Sequence, residues 1–199
     1  MSGAGSPWDA SYAGAPPPWD IGRPQPAVVR LADAGAFRDR VLDAGCGTGE
    51  NALELASRGL KTWGIDVSRR AIGRASTKAF QRANGAPPSF LVANALELER
   101  LDLRFETVLD CGLFHTFDDR ERARYVGSLA AVVTGGGRLH VLCFSDLEPG
   151  DWGPRRVTRP EIEAAFVDGW RVEAIEPERF ATRLSNDGAH AWLAIVERR

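Results

Sequence analysis

From residue 26 onward, short apolar runs alternate with longer stretches of helical period. Residues 27–37 place Val28, Leu31 and Ala32 on one side of an amphipathic helix. Residues 40–43 form a short strand that runs into Ala44-Gly45-Cys46-Gly47-Thr48-Gly49. A helix over 50–58 follows, closed by Gly59. Residues 61–67 are a second strand, and Ser68 is a natural N-cap for a helix to about Ala83, stopped by Asn84-Gly85. Residues 89–93 and 106–111 read as strands three and four. Asp118 with Glu121 makes a capping box that opens a helix to about Val133. Gly135-Gly136-Gly137 leads into a fifth strand over 138–144. Thr158 with Glu161 repeats the capping pattern, and that helix ends near Asp168-Gly169. Residues 170–176 and 189–197 close the chain as two more strands.

Strands that alternate with helices imply βαβ units and a parallel sheet. The last two strands are joined only by the loop 177–188, so they pair antiparallel. The expected fold class is α/β: a three-layer α/β/α sandwich on a seven-stranded, mostly parallel sheet whose last strand is antiparallel. The chain has 199 residues, which fits one domain spanning 1–199, with an N-terminal tail and lid over 1–26 and the core over 27–199. A chain of this length buries roughly 70% of the surface its unfolded form exposes, so disorder is excluded as the main state.

Charge removes several partners. The formal net charge is -2, and the arginines are scattered, with Lys61 and Lys78 the only lysines. Such a chain has no global pull toward nucleic acid or an anionic membrane surface. No apolar run approaches the ~20 residues of a membrane span. The first basic residue is Arg23 and no apolar h-region precedes it, so no secretory signal is expected and the location expected is cytoplasmic. Cys46, Cys111 and Cys143 lack short paired spacing, which suits reduced thiols rather than disulfides or a zinc site. No metal is expected. Residues 1–26 are rich in proline and glycine; disorder is expected for 1–7, while Pro16-Pro17-Pro18 presenting Trp19 suits a segment that folds over something.

The glycine turn after the first strand admits two ligands. Gly47-x-Gly49-x-x-Ala52 matches the looser dinucleotide fingerprint. Asp43, at the strand end, would however set a carboxylate near a pyrophosphate, at a cost of roughly 1–4 kcal/mol. S-adenosylmethionine carries an ammonium and a sulfonium instead of phosphate, so the same acid becomes a ligand. Asp66, ending the second strand, is placed to accept hydrogen bonds from two ribose hydroxyls and serves either nucleoside.

Val41-Leu42-Asp43-Ala44-Gly45-Cys46-Gly47-Thr48-Gly49 closely resembles motif I of the class I S-adenosylmethionine-dependent methyltransferases. Gly64-Ile65-Asp66-Val67-Ser68 resembles their second motif, Phe90-Leu91-Val92-Ala93-Asn94-Ala95 the third, and residues 105–112 the fourth. Thr134-Gly135-Gly136-Gly137 matches the glycine turn before their fifth strand. The resemblance spans residues 40–144 and implies the Rossmann-like fold of that family. It further implies S-adenosylmethionine as cofactor, with S-adenosylhomocysteine as product, and contacts from Asp43, Gly45, Cys46, Gly47, Gly49, Asp66, Val67, Asn94, Ala95, Asp110 and Cys111. Asn94 departs from the family, which has Asp there to accept from the adenine amino group.

The fourth motif, Asp110-Cys111-Gly112-Leu113-Phe114-His115, lacks the Pro-Pro pair typical of enzymes acting on amino groups of DNA bases or glutamine. The expected partner is therefore a small-molecule methyl acceptor, with no nucleic acid and no membrane. Pro18-Trp19-Asp20-Ile21-Gly22-Arg23-Pro24-Gln25-Pro26 resembles the Pro-Trp-Asp-x-Gly-Arg segment before motif I in halide and thiol methyltransferases, relatives of the thiopurine S-methyltransferases. By that resemblance Trp19 packs on the cofactor; a flat indole face attracts a sulfonium. The acceptor expected is a thiol or similar soft nucleophile, with His115 as candidate catalytic base. The alternatives are O- or N-methylation of a small aromatic, an NAD(P)-dependent oxidoreductase, or an S-adenosylmethionine-binding protein without turnover.

Overall fold

The computed structural model describes residues 6–82 and 85–199. Seven strands form one sheet: β1 (Val41–Ala44), β2 (Thr62–Asp66), β3 (Ser89–Val92), β4 (Phe105–Cys111), β5 (Val133–Phe144), β6 (Trp170–Phe180) and β7 (Ala189–Arg198). Their spatial order is β3-β2-β1-β4-β5-β7-β6. The first five run parallel, and β7 is antiparallel to both β5 and β6, as a loop-only connection requires. All four residues of β1 are buried, including the ionisable Asp43, because β1 is central and covered on both faces.

Helices α2 (Pro26–Asp33), α3 (Glu50–Ser57), α4 (Arg69–Gln81), α5 (Asp119–Val132) and α6 (Arg159–Ala165) cover the sheet, and α1 (Ser6–Ser11) precedes them. Alternate residues of one strand feed opposite layers. Leu42 packs with Leu98, Phe105, Tyr125 and Leu129, while Val41 packs with Val28, Phe37 and Leu55. Both capping boxes form, Asp118 with Glu121 and Thr158 with Glu161.

Some boundaries differ from the sequence expectation. Ser6 and Pro7, within the segment expected to be disordered, belong to α1; the rest of that segment, 1–5, lies outside the described residues. Helix α2 ends at Asp33, where Gly35 turns the chain with φ 68°. Helix α4 reaches Gln81, and the expected stop at Ala83 and Asn84 lies outside the described residues. Between β3 and β4 the chain makes a 3-10 turn, Ala95–Leu101, rather than a helical crossover; the Asn94 side chain caps it.

Chain direction reverses between β1 and β4. From β1 the chain winds outward through β2 and β3, then returns to β4 and winds the other way. The crevice beyond the carboxyl ends of β1 and β4 is the switch point where open α/β sheets bind ligands. Residues 6–26 lie across that crevice. Asp9 Oδ1 accepts the Ser68 hydroxyl at 2.8 Å and the Arg70 N–H at 3.0 Å, docking α1 on the start of α4.

Candidate active site

The glycine loop follows from steric necessity. Gly45, Gly47 and Gly49 have φ of 71°, 54° and 83°, a region that costs residues with a Cβ. At Gly49 a Cβ would lie 2.6 Å from the Phe90 ring and 2.9 Å from Ala75. The loop is then locked from two sides. Asp66 accepts the Gly47 N–H at 3.0 Å and the Ser68 N–H at 2.8 Å. Lys78 reaches the Thr48 hydroxyl and Glu50, both at 2.7 Å, and Arg82 joins Glu50 at 2.7 Å. Burial works against the Glu50 carboxylate, yet the hydrogen bonds from Arg82 and Lys78 hold it below its usual range.

Above the loop opens a cavity of about 680 Å³. Of the residues singled out by sequence, Trp19, Gly45, Cys46, Gly47, Gly49, Asp66, Val67, Asn94, Ala95, Cys111 and His115 line it. Asp43 and Asp110 do not. They lie beneath it, fully buried in the central strands. Neither Asp43 oxygen makes a hydrogen bond of normal geometry. Burial raises its pKa to about 8, only partly offset by the looser approach of the Ala52 amide. Asp110 instead accepts the Leu113 and Phe114 N–H groups at 3.0 and 3.1 Å, so it builds the turn after β4. Burial raises its pKa to about 6. Asn94 Oδ1 is engaged with the Leu96 N–H at 3.0 Å, which leaves its amide NH₂ as the uncommitted polar group.

His115 departs from the role expected of it. Its Nδ1 accepts the Phe144 N–H at 3.0 Å. A neutral imidazole with Nδ1 as acceptor carries its proton on Nε2, so it has no free lone pair to take another. Burial, with Arg122 and Arg156 nearby, lowers its pKa to about 3. The geometry is that of a donor and wall, not of a base.

The two ends of the cavity differ in chemistry. At the glycine-loop end Asp20 and Asp66 are acidic, Glu50 is already paired with Lys78 and Arg82, and Arg23 is the only Lys or Arg lining the cavity among the described residues. A pyrophosphate would be repelled there and a cationic ligand attracted. At the other end Phe144, Trp152 and Phe180 pack edge to face, with centroids 5.4–5.5 Å apart, and His115 abuts Phe144 at 5.2 Å. Arg156 holds this wall: it lies over Phe144 and Trp152 and donates to the carbonyls of Glu148, Gly150 and Pro154.

Several lining residues carry no motif. Tyr12, Gln25 and Asn51 meet the cavity from the N-terminal segment and the start of α3, and the aromatic wall comes from the ends of β5 and β6 and the loop after β5. The pair Trp8 and Tyr12, four apart, is the one local signal that would have marked α1 as a packed helix.

Comparison with known proteins agrees with this geometry. A protein-family model described as "Methyltransferase domain" matches residues 41–137. The "2-heptyl-1-hydroxyquinolin-4(1H)-one methyltransferase" of Mycobacteroides abscessus is 35% identical over 86% of this chain and 79% of its own. The "Probable thiol methyltransferase 2" of Arabidopsis thaliana is 28% identical over 80% of this chain and 71% of its own. A solved structure described as "Conversion of a Disulfide Bond into a Thioacetal Group during Echinomycin Biosynthesis" superposes with a TM-score of 0.88 at 36% identity, covering 98% of this chain and 92% of that one.

Proposed function

Since the chain belongs to the family of S-adenosylmethionine-dependent methyltransferases that carry this domain, we propose that it methylates a small sulfur nucleophile. The observation that carries the choice of acceptor is His115, whose Nδ1 is occupied by the Phe144 N–H. A thiol near pKa 8.5 ionises enough at neutral pH to attack unaided, whereas a phenol near 10 gains from a base. The structural relative at 36% identity, described through disulfide and thioacetal chemistry, supports a sulfur acceptor.

The cofactor supplies an electrophilic methyl group when bound. Its cationic groups suit the acidic glycine-loop end, with the backbone of Gly45, Cys46, Gly47 and Gly49 as cradle. Asp66 and Val67 are our candidates for the ribose side, and Asn94 with Ala95 for the adenine edge. Asp43 contributes from beneath the loop as a buried acid without a normal hydrogen bond, rather than as a wall. Asp110 acts by fixing the turn that carries Cys111 and His115. Trp19 closes the top, with its face available to a sulfonium. The aromatic wall excludes water and orients the acceptor, so that most of the rate comes from holding acceptor and methyl in line. His115 contributes a neutral wall, with its Nε2–H directed toward the Gly112 carbonyl. We place this chemistry in the cytoplasm, a reading supported by Cys46, Cys111 and Cys143 all being free.

A second reading is O-methylation of a small aromatic hydroxyl, favoured by the name of the relative at 35% identity. Formation of S-adenosylhomocysteine with a panel of thiols, sulfide, iodide, phenols and that hydroxyquinolone separates the two. Turnover of thiols supports the first reading, and turnover confined to hydroxyl compounds supports the second.

A further inference from the structure

Gln25 is a buried side chain that no motif explains. It is 4% exposed, and each of its polar groups has a partner. Oε1 accepts the Ala181 N–H and Nε2 donates to the Ala181 carbonyl, both at 2.9 Å. This two-way pair imitates one rung of a β-ladder, made between a side chain and the backbone just past the end of β6. The Gln25 N–H donates to Asn51 Oδ1, in the first turn of α3, at 2.9 Å, and its carbonyl accepts from Val28 and Val29.

Three segments therefore meet at one amide: residues 18–25 that cross the cavity, the helix start that follows the glycine loop, and the loop between β6 and β7. The crossing segment makes three further contacts. The Arg183 N–H donates to the Pro18 carbonyl at 2.8 Å, the Arg183 guanidinium donates to the Asp20 carbonyl at 3.2 Å, and Asp20 Oδ2 accepts the Thr48 hydroxyl at 2.9 Å. Phe180, Thr182 and Leu184, on either side of the Ala181 contact, line the cavity. The crossing segment is thus hydrogen-bonded to the glycine loop at Asp20 and to the end of β6 at Gln25, and the chain between these residues links the two ends of the cavity.

We propose that Gln25 is a positioning residue that couples the cofactor and acceptor ends of the cavity. On the methyltransferase reading above, the loop 181–188 takes its place over the acceptor only when residues 18–25 are docked on the cofactor loop. Leu184 is 64% exposed, so the loop has little burial of its own to order it, and the Gln25 rung supplies the order. The consequence is an order of events: the cofactor docks the crossing segment, Gln25 fixes the loop, and the acceptor end is complete.

Hydrogen exchange by mass spectrometry on the full chain, with and without S-adenosylhomocysteine, tests this. In the natural protein the ligand slows exchange at 44–49, 18–25 and 181–188 together. In Gln25→Ala it still slows 44–49, while the slowing at 181–188 falls by about tenfold, the scale expected for losing hydrogen bonds. With thiophenol as acceptor probe, KM rises by about the same factor and kcat changes little, a split that a general loss of stability would not give. Gln25→Met keeps the side-chain volume but loses both hydrogen bonds, and should lose the slowing at 181–188 as Gln25→Ala does. Should Gln25→Ala speed exchange throughout β1 and β4, Gln25→Met carries the same comparison. Undiminished slowing at 181–188 in these variants overturns the proposal. Absence of slowing at 44–49 in the natural protein overturns the cofactor reading itself, and the coupling with it.

Discussion

The phenol of Tyr12 stands directly over Gly47: a Cβ placed on that glycine would lie 2.9 Å from the Tyr12 oxygen. Trp19 Nε1–H donates to the same oxygen at 3.0 Å, so Tyr12 sits between the crossing segment and Gly47, beside the direct contact of Asp20 with Thr48. Gly47→Ala therefore meets two penalties, the contact with Tyr12 and a φ of 54° that costs an L-residue about 1–2 kcal/mol. Affinity for S-adenosylhomocysteine should fall tenfold or more by calorimetry. In a Tyr12→Phe background the same substitution should cost less, because the oxygen it meets is gone. Equal losses in both backgrounds would mean that the two residues do not touch.

His115 gives a prediction about pH. With a pKa of about 3 it stays neutral throughout the working range. A limb of kcat/KM near pH 6 belongs to Asp110, whose burial raises its pKa to about 6, and His115→Gln should leave the shape of the profile unchanged while lowering the rate modestly. A limb between pH 6 and 7 that disappears in the variant would restore His115 as a base.

Asp43 gives a prediction of opposite sign. Its pKa of about 8 lies above the ordinary 3.8, so the folded state holds a proton that the unfolded state has already released. Its contribution to stability is full below about pH 4 and is lost as pH rises toward 8. Thermal unfolding should show Tm declining from pH 6 to 8.5, and Asp43→Asn should flatten that decline. Asp110 and Asp66 lie close enough to raise the Asp43 pKa further, so a residual slope in the variant is theirs. A natural protein that gains stability over this range would contradict the assignment.

Arg156 holds the aromatic wall by planar geometry: one guanidinium serves three carbonyls and two rings. Lysine cannot reproduce that fork. Arg156→Lys should raise the acceptor KM by about tenfold through a displaced Trp152, with affinity for S-adenosylhomocysteine unchanged; a matching loss of cofactor affinity would show that the wall and the cofactor end are not separable by this loop.

The parts of the molecule legible in sequence are those fixed by short-range geometry. The glycine turn after β1 and the two capping boxes depend on neighbours a few residues away, and Asp66, whose bond to Gly47 spans 19 residues, ends β2 as its pattern predicts. The aromatic end was not legible. Phe144, Trp152 and Phe180 lie apart in the sequence, and the order β5-β7-β6 with the loop after β5 brings them together. His115 was legible in place but not in role, because its tautomer is set by the Phe144 amide, 29 residues on. Asp43 and Asp110 were legible as strand-end acids. That they sit beneath the cavity follows from the central position of β1 and β4, which the local sequence does not encode.

The most direct test of the account is methyl transfer from S-adenosylmethionine, followed as S-adenosylhomocysteine formation across thiols, sulfide, iodide, phenols and the hydroxyquinolone. The account predicts turnover with thiols or sulfide, at a rate that follows thiolate concentration rather than a titrating histidine. No transfer to any sulfur nucleophile, with hydroxyl compounds turned over in its place, would contradict it.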